Sequence, residues 1–317
     1  MTVSIIIATK TWQRNLEECV SKCLELDFID FEIIILPDYS LQMNLDERVR
    51  LIPTGEVTPP RKRDIGIRQA RGDIIAFLDD DAYPRKDWLK NAVENFKDES
   101  VAAVGGPAVT PDSDSLMQKA SGLVYSSALV SAGFTYRYVP KKKMEVEDYP
   151  SCNLIVRKSV LKALGGFNTN FWPGEDTKLC LDIRLMGKKI IYDPGVLVFH
   201  HRRSLILPHL KQVANYGLHR GYFVKRYPRT SLKFSYFLSS LFVLSVFSGA
   251  VISLYWGPLE IIYLSCLLVY LLLVFVTGIS KGLVLFPLVF IGVILTHITY
   301  GLYFLKGLIL KRLQEEL

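Results

Sequence analysis

The sequence predicts an α/β domain followed by helices that lie on, and then cross, a membrane. Three observations carry this. Short apolar runs of strand length alternate with helical patterns through residues 1–203, and one of those runs ends in three adjacent carboxylates. Beyond residue 233 come three long stretches almost free of charge. At 317 residues the chain has room for one to two domains. Its mean hydropathy of +0.24 is high for a soluble protein, and the excess is all at the C-terminal end.

Residues 3–9 read as the first strand. Because the strand pattern starts directly at Val3, no signal peptide is expected, which would keep the domain on the side of synthesis, the cytoplasm. Cys19 and Cys23 fall one turn apart on a predicted helix. With no further Cys or His nearby, packing is the expected role, and the odd total of five cysteines argues for reduced thiols. Residues 31–36 form a second strand leading to Asp38, followed by the basic segment Pro60-Arg61-Lys62-Arg63-Asp64-Ile65-Gly66-Ile67. Residues 74–78 read as a buried strand that stops at Asp79, Asp80 and Asp81. Three like charges repel one another, so the cluster calls for a cation. Oxygen ligands of this kind suit Mg²⁺ or Mn²⁺, and ligands of open α/β sheets bind beyond the carboxyl ends of strands. The plainer alternative is a solvated acidic turn before a helix near Asp87.

Further on stand Cys152-Asn153 on a strand, the turn Gly165-Gly166-Phe167, and Gly174-Glu175-Asp176 ahead of a helical pattern over 177–186. Taken alone, Glu175 and Asp176 would be first-turn acids favoured by the helix dipole. The basic string His200-His201-Arg202-Arg203 closes the domain. Residues 107–150, with their Gly-, Ser- and Ala-rich centre, resist a local reading.

In this order and at this spacing, the motifs over residues 2–203 resemble the inverting glycosyltransferases of family 2, whose nucleotide-sugar-binding domain has the GT-A fold. The resemblance implies a nucleotide-diphosphate sugar as donor, of the UDP-sugar type. It implies Ala8, Thr9, Asp38, Lys62, Arg63, Asp64 and Asp80 around that donor, and a Mg²⁺ or Mn²⁺ ion at Asp79 and Asp81. His201 is a further metal or diphosphate contact, with His200 its rival. Asp176 matches the family's catalytic base and Glu175 orients its neighbours. Pro37 stands where the family has an acidic residue, and Lys10-Thr11 where Tyr-Asn is common, so the nucleotide base stays open. Residues 107–150 occupy the position where family members vary to recognise acceptors.

Residues 234–256, 261–280 and 282–305 contain 23, 20 and 24 residues, of which only His297 is titratable toward a cation. About 20 apolar residues span a bilayer, so an integral membrane protein is expected, with domains at 1–203, 204–232 and 233–317. Between residues 188 and 233 ten Lys or Arg face one acid, Asp193. Such a band before the first span follows the positive-inside rule and favours anionic lipid headgroups. With net charge +7 but no nucleic-acid motif, a nucleic-acid partner is not expected. Residues 205–227 place Ile206, Leu210, Val213, Gly217, Gly221 and Val224 on one face, the pattern of an interfacial amphipathic helix. Three spans would send the C-terminus outside, yet Lys306, Lys311 and Arg312 follow the last. Either that tail lies along the interface or one apolar stretch fails to cross.

These features together predict a membrane-bound enzyme that moves a sugar to a hydroxyl of a lipid-linked saccharide. A polyprenyl-phosphate sugar synthase is the nearest alternative, although an ionised phosphate acceptor needs no base. A processive polysaccharide synthase is weaker, because Gln212-Val213-Ala214-Asn215-Tyr216 departs from the processive Gln-x-x-Arg-Trp motif at both defining positions. A non-catalytic adaptor would have little use for the intact carboxylates.

Overall fold

The computed structural model describes residues 1–253, 255 and 257–316. Leu254 and Trp256, at the far end of the first expected apolar stretch, and the last residue, Leu317, lie outside the described residues. The chain divides into two compact units, Met1–Pro111 with Tyr136–His201, and Asp112–Thr135 with Arg202–Glu315.

The first unit holds eleven strands: β1 (Val3–Ala8), β2 (Phe31–Leu36), β3 (Val49–Leu51), β4 (Ile74–Asp79), β5 (Ala82–Pro84), β6 (Val101–Gly105), β7 (Ala108–Val109), β8 (Met144–Val146), β9 (Asn153–Arg157), β10 (Lys189–Tyr192) and β11 (Val198–His200). Eight form one sheet in the order β3-β2-β1-β4-β9-β6-β10-β8, and β5-β11-β7 form a small second sheet. β3, β2, β1 and β4 run parallel, in register from Val3 opposite Ile74 to Ala8 opposite Asp79. This is the mixed α/β, GT-A-like architecture expected. The central strands carry unbroken apolar runs because both faces are covered: Ile5, Ile33, Ala76 and Leu78 are all fully buried. Helices Arg14–Leu24, Pro59–Gln69, Trp88–Asn95, Lys158–Leu164 and Glu175–Leu185 complete the unit. Cys19 and Cys23 are buried in its core, the packing role expected of them.

The second unit is helical. Ser115 and Gln118 cap helix Leu116–Tyr125 reciprocally, which fixes the start of the segment least legible from sequence. The long helix Leu207–Arg226 begins with Pro208 in its first turn, where a missing N–H costs nothing. Two apolar helices, Phe234–Ser253 and Gly257–Ile279, pair antiparallel, with the Tyr263 hydroxyl on the Val246 carbonyl at 3.3 Å. The last, Phe286–Ile309, is the best covered, burying Val289, Val293, Thr296 and Phe304 among other residues. It lies so close to Leu207–Arg226 that a Cβ on Gly221 would stand 2.1 Å from the Phe304 carbonyl oxygen. The polar face expected of Leu207–Arg226 is only partly observed, because His209 and His219 are buried. His209 Nδ1 meets Ser121 Oγ at 2.8 Å and its Nε2 meets Thr296 Oγ1 at 2.9 Å, so its polar atoms are satisfied inside.

Among the described residues, three helices are long and apolar enough to cross a membrane: Phe234–Ile252, Pro258–Ile279 and a stretch beginning at Phe286.

Candidate active site

β1 and β4 end side by side, so Ala8 and Asp79 sit together at the carboxyl edge of the sheet. β5 turns back just past the carboxylates and pairs antiparallel with β11, setting His200 opposite Ala82. The His201 N–H donates to the Asp81 carbonyl at 2.9 Å. Neighbouring side chains on a strand point to opposite faces, and the register therefore decides between the two histidines. His200 Nε2 lies 3.0 Å from Asp81 Oδ1, while His201 Nε2 reaches Glu18 Oε2 at 3.0 Å. Asp79, Asp81 and His200 offer ligand atoms that all fall within 4.8 Å of one another. Of the two histidines expected near the metal or diphosphate, His200, the rival of the pair, is the one grouped with Asp79 and Asp81, while His201 turns to Glu18.

The donor set fits a divalent ion. Two carboxylates and an imidazole suit Mn²⁺ and its neighbours, and the electrostatics point the same way. Burial most of all, then the charges of Asp81 and Asp79, pushes the Asp80 carboxyl up to about 6, and the repulsion from those two neighbours is what a cation would relieve. Asp80 turns to the other side, where the Thr9 hydroxyl donates to it at 2.7 Å and the Gln13 amide at 3.1 Å.

Arg63 joins this cluster to the second acidic motif. Its Nη2 donates to Asp79 Oδ1 at 2.8 Å and its Nη1 to Glu175 Oε1 at 2.7 Å, with the Arg63 side chain only 4% exposed. Gly174, at φ 113°, turns the chain into helix Glu175–Leu185 in a conformation that favours glycine. Glu175 is buried on the guanidinium. Asp176 is half-buried and accepts from the Thr177 N–H at 2.7 Å. Burial, then the like charges of Glu175 and Asp148, raise its carboxyl to about 7. A carboxylate poised near neutral pH is suited to take a proton from a hydroxyl.

The other expected donor residues divide. Ala8 and Thr9 line the strand edge, with the Thr9 N–H on the Leu36 carbonyl at 3.2 Å. Lys62 is buried and donates to the Thr9 carbonyl at 2.6 Å, to Leu36 and to Asp38, so it holds Asp38 in place from within. Asp64 accepts from the Phe167 N–H at 2.8 Å, and a Cβ on Gly166 would come within 2.2 Å of its Oδ1. That close approach accounts for the Gly165-Gly166-Phe167 turn. Lys62, Arg63 and Asp64, expected around the donor, all have their polar ends on protein groups. Asn153 likewise receives Trp88 Nε1 at 2.9 Å and donates to the Gly106 and Val196 carbonyls.

Three residues around Asp176 escaped the sequence reading. The Ser151 N–H approaches Asp176 Oδ2 at 3.4 Å. Asp148 accepts from the Thr177 hydroxyl at 3.2 Å, and Arg137 donates to the Asp148 carbonyl at 2.9 Å. Arg137 and Asp148 come from the stretch that resisted a local reading and Ser151 directly follows it, and only the fold brings them to the helix start.

Methanococcus voltae has a dolichyl N-acetyl-alpha-D-glucosaminyl phosphate 3-beta-D-2,3-diacetamido-2,3-dideoxy-beta-D-glucuronosyltransferase that is 23% identical over 71% of this chain and 74% of its own. A pre-mycofactocin glycosyltransferase of Mycobacterium tuberculosis is 30% identical over 50% of this chain, but that match spans only 33% of the mycobacterial protein. Among solved structures, a mannosyltransferase from Pyrobaculum calidifontis, in complex with GDP-Man and Mn²⁺, superposes with a TM-score of 0.64 at 15% identity, covering 98% of this chain and 88% of the other. That likeness is one of fold. The family model for glycosyl transferase family 2 matches residues 4–165, from β1 through the carboxylate cluster to the turn at Gly165. With that match over half of its length, the chain belongs to glycosyl transferase family 2.

Proposed function

We propose that the protein is a membrane-bound inverting glycosyltransferase that moves a sugar from a nucleotide-diphosphate donor to a hydroxyl of a lipid-linked saccharide. The observation that carries this reading is the guanidinium of Arg63, which spans from Asp79 to Glu175. It places the cation-seeking group one side chain away from Glu175, the residue next to Asp176. Asp79, Asp81 and His200 would hold the metal, which supplies Lewis-acid neutralisation of the departing nucleoside diphosphate. Asp38, fixed by Lys62, would meet the donor's base. Asp176 takes the acceptor hydroxyl's proton as its oxygen attacks the anomeric carbon, and the diphosphate leaves from the opposite face, inverting the centre. Arg63 and Glu175 keep the base aligned without exchanging protons.

The acceptor class is supported by the relatives. The Methanococcus voltae protein, and a glucosyl-dolichyl phosphate glucuronosyltransferase of Haloferax volcanii that is 22% identical over 63% of this chain, are named for transfer to a sugar already on dolichyl phosphate. A hydroxyl acceptor of that kind needs a base, whereas a bare polyprenyl phosphate does not. The basic band before the apolar helices supports a catalytic region on the cytoplasmic face, held against anionic lipid. The test is transfer by the purified full chain, with UDP- and GDP-sugars, Mn²⁺ or Mg²⁺, and paired acceptors: a lipid-linked saccharide and polyprenyl phosphate. Transfer to the saccharide with inverted anomeric configuration is expected. Faster transfer to the bare phosphate would replace this reading with the synthase alternative.

A further inference from the structure

The three apolar helices of the second unit are not equivalent. Phe234–Ser253 and Gly257–Ile279 form a hairpin whose arms meet along their length, Val246 against Tyr263 and the Phe242 ring 4.3 Å from that of Tyr270. The chain reaches this hairpin at Phe234 and leaves it at Ile279, so those ends are its two feet. The tip halves, residues 244–252 and 258–269, contain no buried residue among the described ones.

Helix Phe286–Ile309 touches the feet. Its first half meets the end of Gly257–Ile279, with the Phe286 and Phe275 rings 5.0 Å apart and Tyr270 Oη 2.9 Å from His297 Nδ1. Its second half meets the start of Phe234–Ser253, where Ser240 Oγ donates to the Gly301 carbonyl at 3.1 Å and the Phe237 and Phe304 rings stand 4.9 Å apart. Progress along this helix therefore runs antiparallel to both arms, although the arms are antiparallel to each other. Three straight helices spanning side by side cannot satisfy all three relations. A helix laid across the feet can.

Its companion settles the direction. Leu207–Arg226 runs parallel beside it in steady register: His209 bonds Thr296, a Cβ on Gly217 would meet the Tyr300 carbonyl at 2.8 Å, and Lys225 Nζ donates to the Leu310 carbonyl at 2.5 Å. Lys211, Asn215 and Lys225 are exposed along that companion's whole length. A helix with charged and amide groups exposed at both ends and in between does not sit in hydrocarbon, and the part of Phe286–Ile309 packed along it, from Thr296 onward, shares its depth.

We infer that Phe286–Ile309, though 24 residues long and apolar, does not cross the bilayer but lies with Leu207–Arg226 at the membrane interface, leaving a two-helix hairpin as the membrane-spanning part. The apolar character of this helix serves packing along its covered face, where Val289, Val293, Thr296 and Phe304 are buried. Its partners are the hairpin feet, Leu207–Arg226 and helix Leu116–Tyr125, through Val124 against Gly292. Charge agrees. Lys233 and Lys281 flank the feet, Lys306, Lys311 and Arg312 end the chain, and the charge near the tip is the acid Glu260, so every basic residue falls on one face. The C-terminus then ends on the face from which the hairpin starts.

The experiment uses the full chain in sealed right-side-out and inverted vesicles, with one cysteine added at a time and labelling by a membrane-impermeant maleimide read as a mass increment over the parent. Lys142→Cys marks the side of the first unit, Tyr255→Cys the hairpin tip, Lys281→Cys the second foot and Glu316→Cys the end of the chain. Labelling of Glu316→Cys from the same side as Lys142→Cys and Lys281→Cys, opposite to Tyr255→Cys, is expected. Labelling of Glu316→Cys from the side of Tyr255→Cys overturns the inference. A protease-cleavable tag added after the C-terminus repeats the test without altering a packed residue, cleaved together with Lys142→Cys labelling or, if the helix crosses, with that of Tyr255→Cys.

Discussion

The carboxylate site and the apolar helices are built on opposite logics. At the site, groups that repel one another are held together: Asp79, Asp80 and Asp81 adjoin in sequence, and Glu175 joins Asp79 through a single guanidinium. In the helical unit, stretches that look alike are set apart: two pair as a hairpin, and the third lies across its feet. Polar residues announce themselves because charge has few tolerable environments. Apolar residues do not, because a lipid tail and a leucine offer them nearly the same surroundings.

The contrast breaks first at Asp176. Asp176→Asn should lower turnover by about 10²-fold or more while donor binding persists, the range for losing a general base; near-normal turnover on a saturating hydroxyl acceptor would remove the base from the mechanism. Next in size is the bridge. Arg63→Met leaves Glu175 buried without its cation, and breaking a buried pair costs about 3–5 kcal/mol; denaturant unfolding of this variant should show that loss, where exposed Lys97→Ala, paired with Glu94 on the surface, should change stability by about 1 kcal/mol or less.

The two histidines sharpen the picture further. His200→Gln should weaken Mn²⁺ binding by about 10-fold or more, a loss of the size seen on disturbing a metal's ligand shell, and His201→Gln should leave it within about 2-fold. Equal losses, read by isothermal titration, would return the choice between them to open. The smallest effect is on pH. With Asp176 raised from 3.8 to about 7, its ionised form is disfavoured in the folded state. Activity should therefore climb as pH rises through about 7, when the base becomes free to accept a proton. Stability should run the other way, falling as pH rises from about 4 to 7, because the unfolded chain gives up this proton first. Asp176→Asn should accordingly raise the melting temperature at pH 8 by a few degrees; a lowered one would mean that the carboxylate is stabilised rather than strained.

Much of the first unit was legible residue by residue. β1, β2 and β4 begin where their apolar runs begin, the carboxylates sit at a strand end, and Gly174 opens the helix of Glu175 and Asp176. Reach was not legible. The resemblance sets Lys62, Arg63 and Asp64 around the donor, and each points its charge into the protein, to Asp38, to Glu175 and Asp79, and to the turn at Phe167. On a helix three successive residues face three directions, and one segment can serve three sites.

The sequence by itself determined the family, strands β1, β2, β4 and β9, the two acidic motifs and the presence of long apolar helices, since each rests on a local property: periodicity, charge, composition or motif. The tertiary structure alone decided that His200 rather than His201 faces Asp79 and Asp81, that Arg63 joins the two acidic motifs, and that residues 112–135 belong with the C-terminal helices. Those outcomes depend on strand register and on contacts between residues far apart in the chain. No run of neighbours can encode them, because a single-residue shift in the pairing of β5 with β11 would exchange the two histidines and leave the sequence of each strand unchanged.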